Sequence, residues 1–155
     1  MPRIQDLLDV DLIIEDLQAT DKAGVIRELA SLLKSRGKVQ DEDALFDIVM
    51  QRESTTTGIG DGIAIPHGRM QGLPGVVVAL GRSRKGVDFQ SMDGKPAHLF
   101  FLFITPEERP GDHLSVLRRL ARITRSPVLR EQLLRSTDRR EIQKLILDED
   151  DKYAK

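Results

Sequence analysis

The chain has no cysteine among its 155 residues, which excludes a disulfide framework, a thiolate nucleophile and a cysteine-bound zinc ion. Long apolar runs are missing too. The run Leu99-Phe-Phe-Leu-Phe-Ile104 falls well short of the roughly 20 residues that a membrane-spanning helix needs. A signal-peptide pattern is absent from the first residues, and the expected location is cytoplasmic. An excess of one charge is lacking as well. With 24 basic and 25 acidic residues the net charge is −1, so the molecule as a whole has no electrostatic footprint for nucleic acid.

The charge is nevertheless unevenly spread. Residues 1–50 carry 6 Lys/Arg against 11 Asp/Glu, whereas residues 113–140 carry 8 Arg against 2 acids. Such a stretch reads first as a solvated helical face, and second as a surface for an acidic or phosphate-bearing partner. The length, with 39% hydrophobic residues, supports one domain with a sizeable core.

Apolar spacing divides the chain into elements. After a short amino-terminal helical turn, Leu12-Ile-Ile14 predicts a strand. Val25, Ile26, Leu29, Leu32 and Leu33 recur at helical spacing between a cap at Thr20 and a stop at Gly37. A second helix is expected from about Asp43 to Glu53. Glycines then punctuate short β-branched pieces, with strands at Ile63–Ile65 and Val76–Leu80. Ala97 to Thr105 reads as a strand buried on both faces and central to the sheet.

Three helices close the chain, capped in turn by Asp112, by Ser126 ahead of Pro127, and by Asp138 with Glu141. The fold class is α/β: one domain with a central mixed β-sheet flanked by helices on both faces. Residues 1–148 form that domain, and residues 149–155 form a charged, frayed tail.

Chemistry concentrates at Thr57-Gly-Ile-Gly-Asp-Gly-Ile-Ala-Ile-Pro-His67. Three glycines within five positions make a backbone loop that can be approached closely, and Pro66 stiffens the delivery of one imidazole. The hydroxyls of Thr55, Thr56 and Thr57 and the amides from Gly58 onward could form a concave anion site over His67. The segment lacks the Gly-Lys-Ser/Thr ending of a nucleotide-binding P-loop and the spacing of a dinucleotide fingerprint. Taken alone, such a pattern is more often only a turn followed by a structural histidine. His67, His98 and His113 do not fall at ligand spacing, so neither a metal nor a cofactor is expected. His98, beside the apolar run, reads as a hydrogen-bonded strand histidine.

Thr57-Gly-Ile-Gly-Asp-Gly-Ile-Ala-Ile-Pro-His-Gly-Arg69 resembles the active-site signature of enzyme IIA domains of the fructose–mannitol class, in the bacterial phosphoenolpyruvate-dependent phosphotransferase system. Arg52-Glu53, Val87 to Pro96 and His113-Leu-Ser-Val-Leu117 agree in order, and the resemblance spans Ile4 to Leu147. It implies that His67 is the phosphorylated nucleophile, receiving phosphate on Nε2 from a histidine phosphocarrier protein. It further implies that Arg52 binds phosphate oxygens and that His113 donates to the phosphate or orients His67. Four residues separate Arg52 from Thr57, one fewer than family members often have.

The Gly-Ile-Ala-Ile-Pro-His-Gly form is most similar to the nitrogen-related branch, which implies regulation through phosphorylation-dependent partner binding. The alternative is a sugar-specific IIA that donates to a IIB protein in fructose- or mannitol-type uptake. If the arginine-rich stretch holds the partner electrostatically, the dissociation constant of the complex should rise several-fold between about 50 and 500 mM salt. Salt-insensitive affinity, measured by calorimetry, would point to an apolar interface instead.

Overall fold

The computed structural model describes residues 3–153. Element starts are set by local capping. After α1 (Ile4–Leu7) and a 3-10 turn at Val10–Leu12, strand β1 (Ile13–Ile14) leads into α2 (Lys22–Ser35). The cap of α2 is Asp21 rather than Thr20, because the Asp21 carboxylate accepts from the Gly24 N–H at 2.7 Å. Gly37 ends the helix region with a φ of 71°, a conformation that costs glycine nothing. Asp41 caps α3 (Glu42–Arg52) in the same way.

The middle of the chain supplies β2 (Gly58–Gly60), β3 (Ile63–Ala64), β4 (His67–Met70), β5 (Val77–Val87) and β6 (Ala97–Pro106). Strand β5 runs well past its expected end at Leu80. Arg82 continues it because its guanidinium is buried against the carbonyls of Glu15, Leu133 and Ser136. Three helices follow: α4 (Pro110–Ile123), α5 (Pro127–Arg135) and α6 (Arg139–Asp151). Helix α4 starts ahead of its expected cap at Asp112, with Pro110 at the first position, where its missing N–H costs nothing.

The sheet is mixed and six-stranded, in the order β1-β5-β6-β3-β2, with β4 also paired to β6. Strand β6 is its axis, with residues Leu99 to Pro106 all buried. On one side it pairs antiparallel with β5; on the other it pairs parallel with β3 and then β4. His67 lies opposite Phe103, and Gly68 opposite Ile104. Side chains alternate across a strand, so His67, Phe103 and Thr105 share the face covered by α4. Gly68 turns to the other face, where an added Cβ would stand 2.5 Å from Ile48 of α3. Helices therefore cover both faces, and only glycine lets α3 pack this close to β4.

The carboxyl-terminal boundary differs from the expected one. Residues 149–151 continue α6, and Asp150 is 1% exposed. Its carboxylate accepts from Arg119 Nε at 2.8 Å and from the Ile4 N–H at 3.3 Å, joining α6 to α4 and to the amino-terminal helix. Residues 154 and 155 of the expected tail lie outside the described residues. Removing one partner of a buried ion pair leaves the other charge uncompensated. Asp150→Ala should therefore cost about 3 kcal/mol in urea unfolding, whereas a loss below about 0.5 kcal/mol would mean a frayed end after all.

Candidate active site

His67 enters the sheet just after a break in the edge segment. Ile65 and Pro66 interrupt the strand pairing: the Ile65 N–H turns back to the Thr57 carbonyl at 3.0 Å, while the Pro66 carbonyl accepts from the Phe103 N–H at 3.1 Å. The Ile65 carbonyl is left free for the imidazole. It lies 2.6 Å from His67 Nδ1 and can only accept, so Nδ1 carries the proton and Nε2 keeps its lone pair.

The ring is held on two further sides. It stacks on Phe103 with centroids 5.1 Å apart, and it meets His113 edge-on, also at 5.1 Å. His113 sits in the first turn of α4, with Nδ1 2.7 Å from the Thr105 hydroxyl. Both imidazoles are buried and bind protons weakly. Desolvation pushes His67 below its ordinary value, and the Arg52 and Arg69 charges add to this against the Ile65 hydrogen bond and Glu53. His113 falls to about 4, again chiefly by desolvation, with His67 and the same two arginines contributing.

These side chains floor and wall an open cleft of about 660 Å³ whose lining includes Arg52, Arg69, Pro110 and Leu114. The structure thus brings together His67, His113 and Arg52. The shorter spacing before Thr57 does not remove Arg52 from the cleft: its guanidinium bonds the Thr55 carbonyl at 2.9 Å and remains exposed there. Arg69 is the residue that sequence reasoning left without a role. Its signal was the period of two on β4, which puts His67 and Arg69 on one face. Thr105, directly after the apolar run, was missed as well.

The expected phosphate cradle is not assembled there. The Thr56 hydroxyl donates to the Phe89 carbonyl at 2.7 Å and accepts from the Gly58 N–H. The Thr57 hydroxyl donates to the buried Glu53 carboxylate. Thr55 offers its carbonyl to Arg52, and Gly58 packs against Ser91. The glycines serve a different end: Asp61 and Gly62, with φ of 57° and 79°, form the two-residue turn between β2 and β3. That turn lies near Arg125 and Arg130, at the far end of β3 from His67. His98 is a hydrogen-bonded strand residue, with Nδ1 2.8 Å from the Ser83 carbonyl.

Folding changes how both cleft histidines titrate. Above pH 6.5, their ordinary value, neither the folded nor the unfolded chain protonates them. Below it the unfolded chain takes up protons that the folded chain refuses, so stability is lost as pH falls from 6.5, until His113 itself protonates near 4. The thermal midpoint should decline across that window, and His113→Gln should decline less steeply than the parent. Parallel profiles for the two proteins would contradict the buried, neutral His113.

Residues 6–149 match the family described as Phosphoenolpyruvate-dependent sugar phosphotransferase system, EIIA 2. The chain is 38% identical over 133 residues to the PTS system fructose-specific EIIABC component of Bacillus subtilis, with 85% of the chain aligned, and spans 21% of that longer protein. It is 37% identical over 136 residues to the Nitrogen regulatory protein of Bradyrhizobium diazoefficiens, covering 87% of this chain and 88% of that one. Among solved structures, Nitrogen Regulatory Protein IIA-Ntr from Neisseria meningitidis superposes with a TM-score of 0.86 at 33% identity, over 92% of this chain and 98% of the other. The match runs through nearly every element that positions the cleft, and the chain belongs to the EIIA 2 family of the phosphoenolpyruvate-dependent sugar phosphotransferase system.

Proposed function

We propose that His67 carries a phosphoryl group on Nε2, taken from a phosphohistidine on a carrier protein. The observation behind this reading is the Nδ1 hydrogen bond to the Ile65 carbonyl, which leaves Nε2 as the nucleophilic nitrogen on the wall of an arginine-lined cleft. The new P–N bond forms from the Nε2 lone pair as the donor's P–N bond breaks, and that electron pair returns to the donor imidazole. No proton needs to be exchanged with an acid or base. What the transfer needs is alignment and stabilisation of charge on the equatorial oxygens, for which Arg52 and Arg69 are suited. His113 supplies a further neutral donor. Burial lowers the proton affinity of His67 below its ordinary value, which favours the unprotonated, nucleophilic ring.

The output is regulatory in this reading: a doubly charged group on a formerly neutral ring changes which partner surface the cleft accepts. The similarity to nitrogen regulatory proteins supports it. The fructose-specific relative favours a second reading, in which the phosphate passes on to a IIB protein. The phosphocarrier, IIB and regulatory partners are all expected in the cytoplasm. Among the described residues no helix is long and apolar enough to cross a membrane.

Incubation with the general and the nitrogen-type carriers, each phosphorylated, is the direct test. His67→Ala should take up no label, and Arg52→Ala or Arg69→Ala should slow uptake by about 10-fold. Label retained by His67→Ala would place the site elsewhere. Phosphate that stays on His67 with every IIB protein offered would favour regulation over transport.

A further inference from the structure

Glu53 is buried at the carboxyl end of α3, with a side chain only 1% exposed. Its Oε1 lies 2.9 Å from Lys22 Nζ, which also donates to Gln90 at 2.9 Å and sits 4.6 Å from the centre of the Phe89 ring. A buried ion pair of this kind adds little net stability compared with a well-packed apolar pair. Its effect here lies in what the carboxylate fixes. Glu53 accepts from the Thr57 N–H at 3.2 Å and from the Thr57 hydroxyl, so both donors of that residue are held by one carboxylate.

Thr57 in turn holds the segment that serves the histidine. Its carbonyl accepts from the Ile65 N–H, and the Ile65 carbonyl accepts from His67 Nδ1 at 2.6 Å. Arg52 precedes Glu53 on the same helix end and closes over the same loop through the Thr55 carbonyl. One carboxylate thereby sets the position of the hydrogen-bond acceptor for His67 and of the helix end that presents Arg52. Neither Glu53 nor Lys22 lines the cleft, so neither touches the phosphoryl group.

We propose that Glu53, paired with Lys22, is the positioning residue of the His67 site: through Thr57 and Ile65 it holds the carbonyl that keeps Nδ1 protonated and Nε2 free. This rests on the reading of His67 as the phosphoryl acceptor.

Nitrogen-15 NMR of the imidazole tests it without any phosphate donor. In the parent, His67 should be almost wholly the Nδ1–H tautomer. In Glu53→Gln the Nε2–H tautomer should become populated, and the ring should protonate at lower pH, since the carboxylate that favours the cation is gone. Acceptance of phosphoryl from a phosphorylated carrier should fall about 10-fold through misalignment. Thr57→Val, which keeps the ion pair and loses one hydrogen bond, should move the same readouts in the same direction by less. If Glu53→Gln proves too unstable to measure, Lys22→Met/Glu53→Gln leaves no unpaired buried charge and carries the same comparison.

A folded variant with the parent's tautomer ratio and titration would overturn the proposal. A parent protein whose His67 takes no phosphoryl would sink the functional reading instead, and the tautomer comparison would still stand.

Discussion

Main-chain bonds between β6 and the segment from Ile63 to Met70 hold together groups that are far apart in the chain. The parallel register sets His67 against Phe103, and two residues further along the same face of β6 stands Thr105, the partner of His113. A slip of one residue would send His67 to the face that α3 covers and bring Gly68 to the cleft. Burial opposes such a slip. Ile63, Ala64 and Ile65 of the same segment are at most 1% exposed, and each would have to change sides with His67. The chemistry is thus aligned by the same apolar packing that stabilises the domain.

Electrostatics acts on that frame in one direction. Desolvation and two arginines favour the neutral form of a pair of adjacent imidazoles, so the charge on this side of the cleft comes from the arginines. The guanidinium groups of Arg52 and Arg69 are already exposed, so an anion entering the cleft would meet them with little desolvation. The negative charge nearest to this arrangement in the chain, Glu53, is balanced by Lys22 and kept out of the cleft.

Features that depend on neighbours in sequence were legible. The helix over Lys22–Ser35 follows from apolar spacing, although its cap is Asp21 and not Thr20; the start of the next-to-last helix follows from Ser126 ahead of Pro127, and β6 follows from an unbroken apolar run. His67, Arg52 and His113 came from the ordered motifs, since their spacing alone says nothing about convergence. What escaped was non-local. Arg82 lies beyond the expected strand end at Leu80, and nothing near it in sequence announces the carbonyls of Leu133 and Ser136 that hold it. Asp150 belongs to a run of acids that reads as a tail until Arg119 and Ile4 meet it. The glycine loop misled for a different reason: a tight hairpin and an anion cradle need the same residues, and only the path of the backbone distinguishes them.

The two histidines differ in the kind of oxygen beside Nδ1. Ile65 offers a carbonyl, which accepts and nothing else, whereas Thr105 offers a hydroxyl, which rotates and can either donate or accept a hydrogen bond. His67 is therefore locked while His113 is reversible. The Thr105 hydroxyl can follow either tautomer by turning one O–H bond, with no heavy atom displaced. Once solvent takes the proton from Nδ1 and returns one to the outer nitrogen, His113 can therefore change from an acceptor to a donor towards the cleft.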